Sequence, residues 1–331
     1  MTTAHAGNFN LARGYPIAVA SAAILSLTAI FIRYLTQTYG LPALVLSLWR
    51  DGFVSLSLLV ALGLRHPRLL KAGRRRVVFL LVYGFILAVF NTLWTLSVSL
   101  NGAAVATVLV YCSAGFTALL GWWFLKERLN WAKLLAVVLS LGGCVLVADA
   151  FNPGVWHANP IGILTGVLAG LAYAVYSLMG RAAAQRGLNP WTTLLYTFIF
   201  ATAFLFVFNL LPADLIPGVT AGPGALLWLG GAAAGWGILF LLAIGPTMIG
   251  FGLYNVSLGY LPSSVANLIV SMEPAFTAGI AYLFLGERLT GIQVVGSLLI
   301  LSAVVLLRVY EGWLAGREQP PAEALLEPPG Q

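Results

Sequence analysis

The sequence predicts an all-α polytopic membrane protein, with ten transmembrane helices arranged as two inverted five-helix repeats around a central cavity. Three observations support this fold class. Of the 331 residues, 60% are hydrophobic and 8% are charged, whereas soluble domains carry about a quarter charged residues. Uncharged stretches long enough to cross a bilayer, which takes about 20 residues, recur along the chain, and the second half repeats the first. This composition excludes a soluble enzyme, a nucleic-acid-binding protein and a disordered chain.

Apolar runs between charged and turn residues predict the ten helices. They span residues 15–34, 42–64, 77–100, 103–125 and 131–149 in the first half, and 160–180, 190–211, 237–260, 263–285 and 291–309 in the second. Before the eighth helix, the glycine-rich stretch 225–236 is predicted to be a short interfacial or re-entrant segment, because glycine permits the bend. Pro246 and Pro274 lie inside the eighth and ninth helices, where each predicts either a gate hinge or a simple bend.

The distribution of Lys and Arg predicts which way the helices cross the membrane. With the N-terminus inside, fourteen of the 17 basic residues fall in the tails or loops of one side. Only Arg288 falls in a loop of the other side, and Arg33 and Arg50 lie within spans. Because short basic loops remain in the cytoplasm, both termini are predicted to be cytoplasmic.

The two halves share a sequence repeat at an offset of 160 residues. Phe-Thr-Ala at 116–118 recurs at 276–278, and Glu-Arg-Leu at 127–129 recurs at 287–289. Because each unit contains an odd number of spans, the second copy must lie inverted in the bilayer, as in secondary transporters that alternate access to a midplane site. The predicted division is an N-tail (1–12), two repeats (13–150 and 151–310) and a disordered cytoplasmic C-tail (311–331).

Three short motifs carry a family resemblance: Trp49-Arg50 in the second span, Glu273-Pro274 in the ninth, and Gly-Glu-Arg-Leu at 286–289. With the duplicated five-helix unit, they resemble EamA-type members of the drug/metabolite transporter superfamily, and more narrowly a YddG-like bacterial amino-acid exporter. The resemblance implies a carrier of the bacterial inner membrane that exports small metabolites, among them aromatic and apolar amino acids, through a central cavity.

Polar groups within the spans are the first candidates for the transport site, because such groups are costly in lipid and usually face the bundle interior. They are Arg50, Asp51, Asn91, Asn101, Asn255, Asn267 and Glu273. Arg50 and Glu273 reach near-central depth from opposite faces, which leaves three interpretations: an internal ion pair, Glu273 as a proton-coupling carboxylate, and Arg50 as an anchor for a substrate carboxylate. The neighbours Arg50 and Asp51 are expected to point to different sides rather than pair.

Aromatic residues near mid-span are the second group of candidates, although any one of them could simply pack in the core or face lipid. Trp94 and Tyr254 occupy equivalent positions in the repeats, and Asn91 shares a helix face with Trp94. An aromatic-walled cavity with a few hydrogen-bonding groups suits zwitterions with apolar side chains. The predicted substrate-binding residues are therefore Arg50, Tyr83, Asn91, Trp94, Tyr111, Tyr173, Tyr254 and Asn267, with Glu273 as the coupling residue.

Other functions fit the sequence less well. An intramembrane enzyme would need a nucleophile with a base, paired acids or a metal cluster, but His5, His66 and His157 all lie in the tail or loops. Neither a cofactor nor a metal is therefore expected. The open alternatives are a carrier of other metabolites or drugs, a channel-like facilitator and a scaffold protein. Ten spans can enclose a cavity within a monomer, and protons are a candidate coupling ion.

Overall fold

The computed structural model describes residues 10–71, 73–147, 160–211, 223–285 and 290–318. Over these residues the chain is almost entirely helical and contains no strand. The first half comprises α1 (Leu11–Leu25), α2 (Leu27–Tyr39), α3 (Ala43–Arg65), α4 (Arg74–Tyr111), α5 (Ser113–Leu125) and α6 (Trp131–Val147). The second half comprises α7 (Pro160–Gln185), α8 (Pro190–Asn209), α9 (Ala233–Leu242), α10 (Gly250–Tyr260), α11 (Ser263–Val270), α12 (Glu273–Leu285) and α13 (Gly291–Glu318).

These helices account for the ten predicted spans. Eight segments of the described chain are long and apolar enough to cross a membrane, and α6 is a shorter apolar helix. The ninth predicted span consists of α11 and α12, which are separated by a turn at Ser271 and Met272. The fold class predicted from the sequence, an all-α polytopic membrane protein, is confirmed.

α4 contains the reversal between the third and fourth predicted spans. Its helical turns follow one another over 38 residues, which at about 1.5 Å per residue would extend far beyond a bilayer. However, the side chains of Ser97 and Leu109 both lie 2.7 Å from the position of a Cβ on Gly166. Twelve residues of straight helix would separate Ser97 from Leu109 by about 18 Å, so the chain doubles back between them.

The inverted symmetry of the halves is visible in how their helices pack. α1 packs against α10 and α11 of the second half, and α7 packs against α4 and α5 of the first, while the terminal helices α6 and α13 pack together. There a Cβ on Gly143 would lie 2.6 Å from the carbonyl oxygen of Gly296, and a Cβ on Gly296 would lie 2.7 Å from that of Gly143. These glycines let the two backbones touch, as small residues do between helices in lipid.

The two proline positions coincide with irregular helix. Pro246 lies in a π-helical segment, Ala243–Ile249, that joins α9 to α10. The Thr247 hydroxyl donates to the Leu242 carbonyl at 2.9 Å and so uses one backbone acceptor of this segment. Pro274 is the second residue of α12, directly after the turn.

Several helices extend beyond the predicted spans, among them α2, α7, α9 and α13. α9 starts at Ala233, after the 3₁₀ turn Pro223–Leu227, where the sequence predicts an interfacial or re-entrant segment. α13 continues to Glu318, so helix covers the first residues of the predicted disordered tail. Trp313 packs against Tyr310 with a centroid distance of 6.0 Å, which gives this extension an apolar contact. The rest of that tail lies outside the described residues.

The bundle has two ends that differ in charge. One end is formed by the connections around residues 66–73, 126–130, 186–189 and 261–262, and most of the basic residues lie there. We call this end the basic end. Its basic side chains pack on aromatic rings: the guanidinium of Arg308 lies 4.5 Å from the Tyr15 ring centroid, and that of Arg186 lies 4.6 Å from the Phe79 ring.

At the opposite end, tryptophans fasten the connection between α8 and α9. The indole nitrogen of Trp49 donates to the Leu226 carbonyl at 2.6 Å, and that of Trp228 donates to the Tyr39 carbonyl at 3.0 Å. Tryptophan is common at membrane–water interfaces, where its ring is apolar and its N–H needs an acceptor.

Candidate functional site

A cavity of about 90 Å³ lies between the two halves of the bundle. Its walls come from both repeats and are mostly apolar or aromatic. Six of the nine residues predicted from the sequence line it: Arg50, Asn91, Trp94, Tyr111, Tyr173 and Glu273. Helix α3 supplies Arg50, and α4 supplies Asn91, Trp94 and Tyr111. The second repeat supplies Tyr173 from α7 and Glu273 from α12.

The basic group of this cavity, Arg50, is held in a buried ring of hydrogen bonds. Its Nε donates to Asp51 Oδ1 at 3.0 Å and its Nη2 donates to Asn91 Oδ1 at 2.9 Å. The Asn91 amide closes the ring by donating to Asp51 Oδ2 at 2.8 Å. All three side chains are at most 5% exposed. The remaining nitrogen, Nη1, has no hydrogen bond to a described residue.

The pairing of Arg50 with Asp51 corrects the expectation that these neighbours point to different sides. The long Arg50 stem lets the guanidinium turn back to Asp51, separated from it by 3.0 Å, and Asn91 on α4 bridges both side chains. The interpretation of Arg50 and Glu273 as an ion pair is also wrong. Both residues line the cavity, but among the described residues Arg50 forms its salt bridge with Asp51.

Glu273 occupies the first position of α12, just after the turn that interrupts the ninth span. A carboxylate is favourable there because the N-terminus of a helix carries partial positive charge. The Tyr111 hydroxyl lies close enough to this carboxyl to interact with it. Thr277 ties the same turn to the α1–α2 break, since its hydroxyl donates to the Glu273 and Ser26 carbonyls at 3.0 and 3.1 Å. The carboxyl is half-buried at the cavity wall.

Three predicted site residues, Tyr83, Tyr254 and Asn267, are buried beside the cavity and do not line it. Tyr254 stacks on Tyr173 with a centroid distance of 5.9 Å, so it supports a cavity wall from behind. Trp94 and Tyr254 therefore do not form two opposing walls, although they are repeat equivalents.

Four buried tyrosines pack together, and we call this group the tyrosine layer: Tyr83, Tyr173, Tyr176 and Tyr254. Polar side chains of the second repeat bind three of its four hydroxyls. Tyr83 donates to Asn255 Oδ1 at 3.2 Å, and the Asn255 amide donates to the Tyr176 hydroxyl at 3.1 Å. Tyr254 donates to Ser177 Oγ at 2.6 Å, which also receives the Asn267 amide at 3.1 Å.

The prediction from sequence omitted several residues of this region, and two of them, Phe90 and Ser177, make defined contacts with the predicted site residues. Phe90 lines the cavity and stacks on Tyr173 with a centroid distance of 5.1 Å, and its position next to Asn91 was the available signal. Ser177 joins Tyr254 to Asn267, but an isolated serine in an apolar helix gives no signal of such a role. The side chain of Asn101, another polar candidate, lies outside the described part of the chain.

A second depression, of about 370 Å³, lies on the surface between α6 and α13. Its walls are Trp131, Leu306, Val309, Tyr310 and Trp313. These side chains supply almost no polar surface, and Trp and Tyr are typical of membrane interfaces. This depression offers no group that would recognise a polar substrate. Within the described residues there is also no cluster of His, Cys, Asp and Glu that could hold a metal ion.

Ten spans in two inverted halves, with a polar group enclosed between them, define the class of inverted-repeat membrane transporters. The family model described as "EamA-like transporter family" matches residues 12–148 and again residues 160–309. The chain therefore belongs to the EamA-like transporter family, a branch of the drug/metabolite transporter superfamily. It is a multi-pass membrane transporter and not an enzyme.

Several relatives have low sequence identity to this chain but align with most of its length. An uncharacterized transporter of Synechocystis is 28% identical over 69% of this chain and 65% of its own length. The threonine/homoserine exporter RhtA of Escherichia coli K12 is 27% identical over 76% of this chain and 77% of its own. A probable amino-acid metabolite efflux pump of the same strain is 26% identical over 80% and 93%.

A crystal structure of a protein that is 16% identical superimposes on 92% of this chain and 99% of its own, with a TM-score of 0.72. At that identity the similarity concerns the fold alone.

Proposed function

We propose that this transporter exports amino acids across the bacterial inner membrane by alternating access, with both termini in the cytoplasm. The observation that carries the proposal is the cavity, in which a guanidinium and a carboxyl group lie among aromatic walls drawn from both repeats. Amino-acid zwitterions carry the two complementary charges, and apolar or aromatic side chains suit the remaining walls. The names of the exporter and efflux-pump relatives support this choice of substrate.

Arg50 is the proposed anchor for the substrate carboxylate. The ring with Asp51 and Asn91 uses Nε and Nη2 and fixes the guanidinium plane, so Nη1 is left for the substrate. Arginine donates to carboxylates through planar, charge-assisted hydrogen bonds that favour one orientation. Because Asp51 balances much of the Arg50 charge, a second carboxylate on the substrate would enter without a partner. We therefore expect neutral amino acids to be preferred over acidic ones.

Glu273 is the proposed coupling residue. It lies at the break between α11 and α12, so a change in its protonation would act where the helix is already interrupted. A charged Glu273 can attract the substrate ammonium group, and a protonated one cannot. Competition between a proton and the ammonium group for this carboxyl would couple export to proton entry.

The test is transport in proteoliposomes with a panel of labelled amino acids, with and without a pH gradient. The panel contains threonine, homoserine, phenylalanine, leucine and glutamate, so that it covers the relatives' substrates, apolar side chains and an acidic one. We expect saturable uptake and counterflow of neutral amino acids, stimulated by the gradient. Flux that does not saturate would indicate a channel, and absence of transport for the whole panel would contradict the proposal.

A further inference from the structure

The connection between α10 and α11 is the most enclosed part of the basic end. α10 ends at Tyr260 and α11 begins at Ser263, so only two residues separate the helices. Every residue of α11 is buried. This helix and the tyrosine layer fill the space between the cavity and the basic end.

Glu127, from the connection after α5, binds the N-terminus of α11. Its Oε1 accepts the backbone N–H and the hydroxyl of Ser263, both at 2.6 Å. Its Oε2 accepts the hydroxyl of Ser264 at 2.6 Å and the backbone N–H of that residue at 3.3 Å. A carboxylate that accepts helix N-terminal N–H groups makes charge-assisted hydrogen bonds and opposes the positive end of the helix dipole. This contact joins the first repeat to the second.

The chain makes local adjustments that place this carboxylate. Lys126 adopts a left-handed conformation with φ of 56°, which turns the backbone back at the end of α5. The Glu127 N–H then donates to the Gly121 carbonyl at 3.0 Å. Gly121 leaves room for the carboxylate, because a Cβ there would lie 2.8 Å from Glu127 Oε2 and 3.3 Å from Ser263 Oγ.

Arg181, on α7, binds the other side of the same connection. Its Nη1 donates to the Leu258 carbonyl at 2.8 Å and to the Gly259 carbonyl at 3.2 Å, at the C-terminal end of α10. The Arg181 charge complements the negative end of that helix, and it also attracts Glu127. A cation and an anion thus hold the two helix ends that meet at residues 258–264.

We propose that Glu127 and Arg181 form a lock, the basic-end lock, that keeps the cavity closed toward the basic end and opens once in each transport cycle. The inference rests on the proposed alternating access. For substrate to enter from the basic end, α11 must separate from α5, and the Glu127 contacts are the hydrogen bonds that this movement breaks at the helix N-terminus. Water can bind the Glu127 carboxylate and the freed N–H and hydroxyl groups when these contacts break, so opening leaves none of these polar groups unpaired.

The first experiment measures opening without any substrate, so that it is independent of which amino acid is transported. Val270, the last residue of α11, lines the cavity, so Val270→Cys places a thiol on its wall. The native free cysteines are removed in the same background by Cys112→Ser and Cys144→Ala. Inside-out vesicles are treated with a membrane-impermeant maleimide, and Lys71→Cys, at an exposed site of the basic end, verifies that this end faces the reagent. Adding Glu127→Gln removes one charged acceptor, and we expect the Val270→Cys labelling rate to rise about tenfold.

The matched control is Arg68→Gln, which removes an exposed charge of the basic end in the turn Pro67–Leu70, outside the segment that places Glu127. We expect that variant to leave the labelling rate unchanged. An unchanged rate with Glu127→Gln, or an equal rise in both variants, would overturn the lock. Elution of each variant as one sharp peak in detergent separates increased opening from unfolding.

The second experiment closes the lock covalently and does not depend on how Glu127→Gln folds. The 3.3 Å between a Cβ at position 121 and Ser263 Oγ suits a disulfide, in which each Cβ lies close to the partner sulfur. Because a Cβ at position 121 would meet the Glu127 carboxylate at 2.8 Å, the two cysteines are combined with Glu127→Ala, and the disulfide alone then joins α5 to α11. In Gly121→Cys with Ser263→Cys and Glu127→Ala, we expect oxidation to reduce transport at least tenfold and reduction to restore it. Full transport by the oxidised protein would contradict the lock. Transport could instead be lost in both redox states while Glu127→Gln still raises Val270→Cys labelling. That result would show that the lock opens and that the proposed substrate is wrong.

Discussion

At the scale of single residues, the Arg50 ring shows how this chain places a charge inside the membrane. Arg50 and Asp51 are neighbours in sequence, and their pairing depends on Asn91, which is forty-one residues from Arg50. Breaking a buried pair by removing one partner typically costs about 3–5 kcal/mol, because it leaves an uncompensated charge. A site of this kind presents a fixed guanidinium edge to the cavity, which a freely rotating arginine would not.

The aromatic wall gives the first prediction. Trp94 and Tyr111 line the cavity on the same helix as Asn91. We expect Trp94→Ala and Tyr111→Ala to lower export at least tenfold, because each removes a wall that the substrate contacts, without preventing insertion into the membrane. Trp123→Ala, at an exposed position of α5, is the matched control and should keep normal export. Normal transport by both cavity variants would exclude this cavity as the substrate path.

The carboxyl at the cavity wall gives the second prediction. Glu273→Gln keeps the shape of the side chain but cannot exchange a proton. We expect counterflow of amino acids to persist, at a reduced rate, while stimulation by a pH gradient disappears. Proteoliposome uptake at several external pH values checks this. Glu318→Gln, at the end of α13, is a control acid outside the cavity. Full and still pH-dependent export by Glu273→Gln would rule out a coupling role.

At the scale of helices, close packing in this bundle depends on where glycine occurs. Gly142 and Gly143 are adjacent on α6, but only Gly143 faces the backbone of α13. The sequence shows both glycines equally and cannot tell which of them is needed. The reason is physical: the repeat fixes which helices correspond, whereas the rotation of α6 about its axis is set by contact with α13.

Gly143→Val is the third prediction. Its side chain would meet the Gly296 carbonyl oxygen at 2.6 Å from Cβ, and neither backbone can move away cheaply. We expect destabilisation of about 1–3 kcal/mol, in the range of overpacked cores. This would be seen as a lower midpoint of thermal unfolding in detergent. Gly142→Val should leave the midpoint nearly unchanged, because no atom lies within 4 Å of a Cβ there. Equal shifts for both variants would show that valine acts only through helix propensity.

At the scale of the whole molecule, the sequence predicts the architecture better than the site. Long uncharged runs and the 160-residue repeat depend only on the solvent and on gene duplication, so they predict ten spans and their inversion. Six of nine predicted site residues line one cavity, because ionisable and hydrogen-bonding side chains are costly in lipid and face the bundle interior. The position of a residue along its span gives only its depth in the membrane. Depth does not distinguish residues of the cavity wall from those of the tyrosine layer behind it, and it does not show that Arg50 pairs with Asp51.

Orientation is the prediction that belongs to the whole molecule. The basic end carries most of the Lys and Arg, and positive loops resist translocation across the inner membrane. That end should therefore face the cytoplasm. Lys71→Cys at the basic end and Thr38→Cys at the opposite end are both exposed positions that allow a test. In intact spheroplasts, an impermeant maleimide should label Thr38→Cys and should reach Lys71→Cys only after the membrane is opened.

The orientation also decides what the basic-end lock does. If the basic end is cytoplasmic, the lock closes the side from which an exporter loads its substrate, so Glu127 would govern loading rather than release. Weakening the lock with Glu127→Gln should then raise the affinity for substrate added on the cytoplasmic side, because less energy is spent on opening. Transport in inside-out vesicles measures this as a lower KM. If labelling instead shows the basic end outside the cell, the same variant should affect substrate release rather than loading, and the prediction of cytoplasmic termini would be wrong.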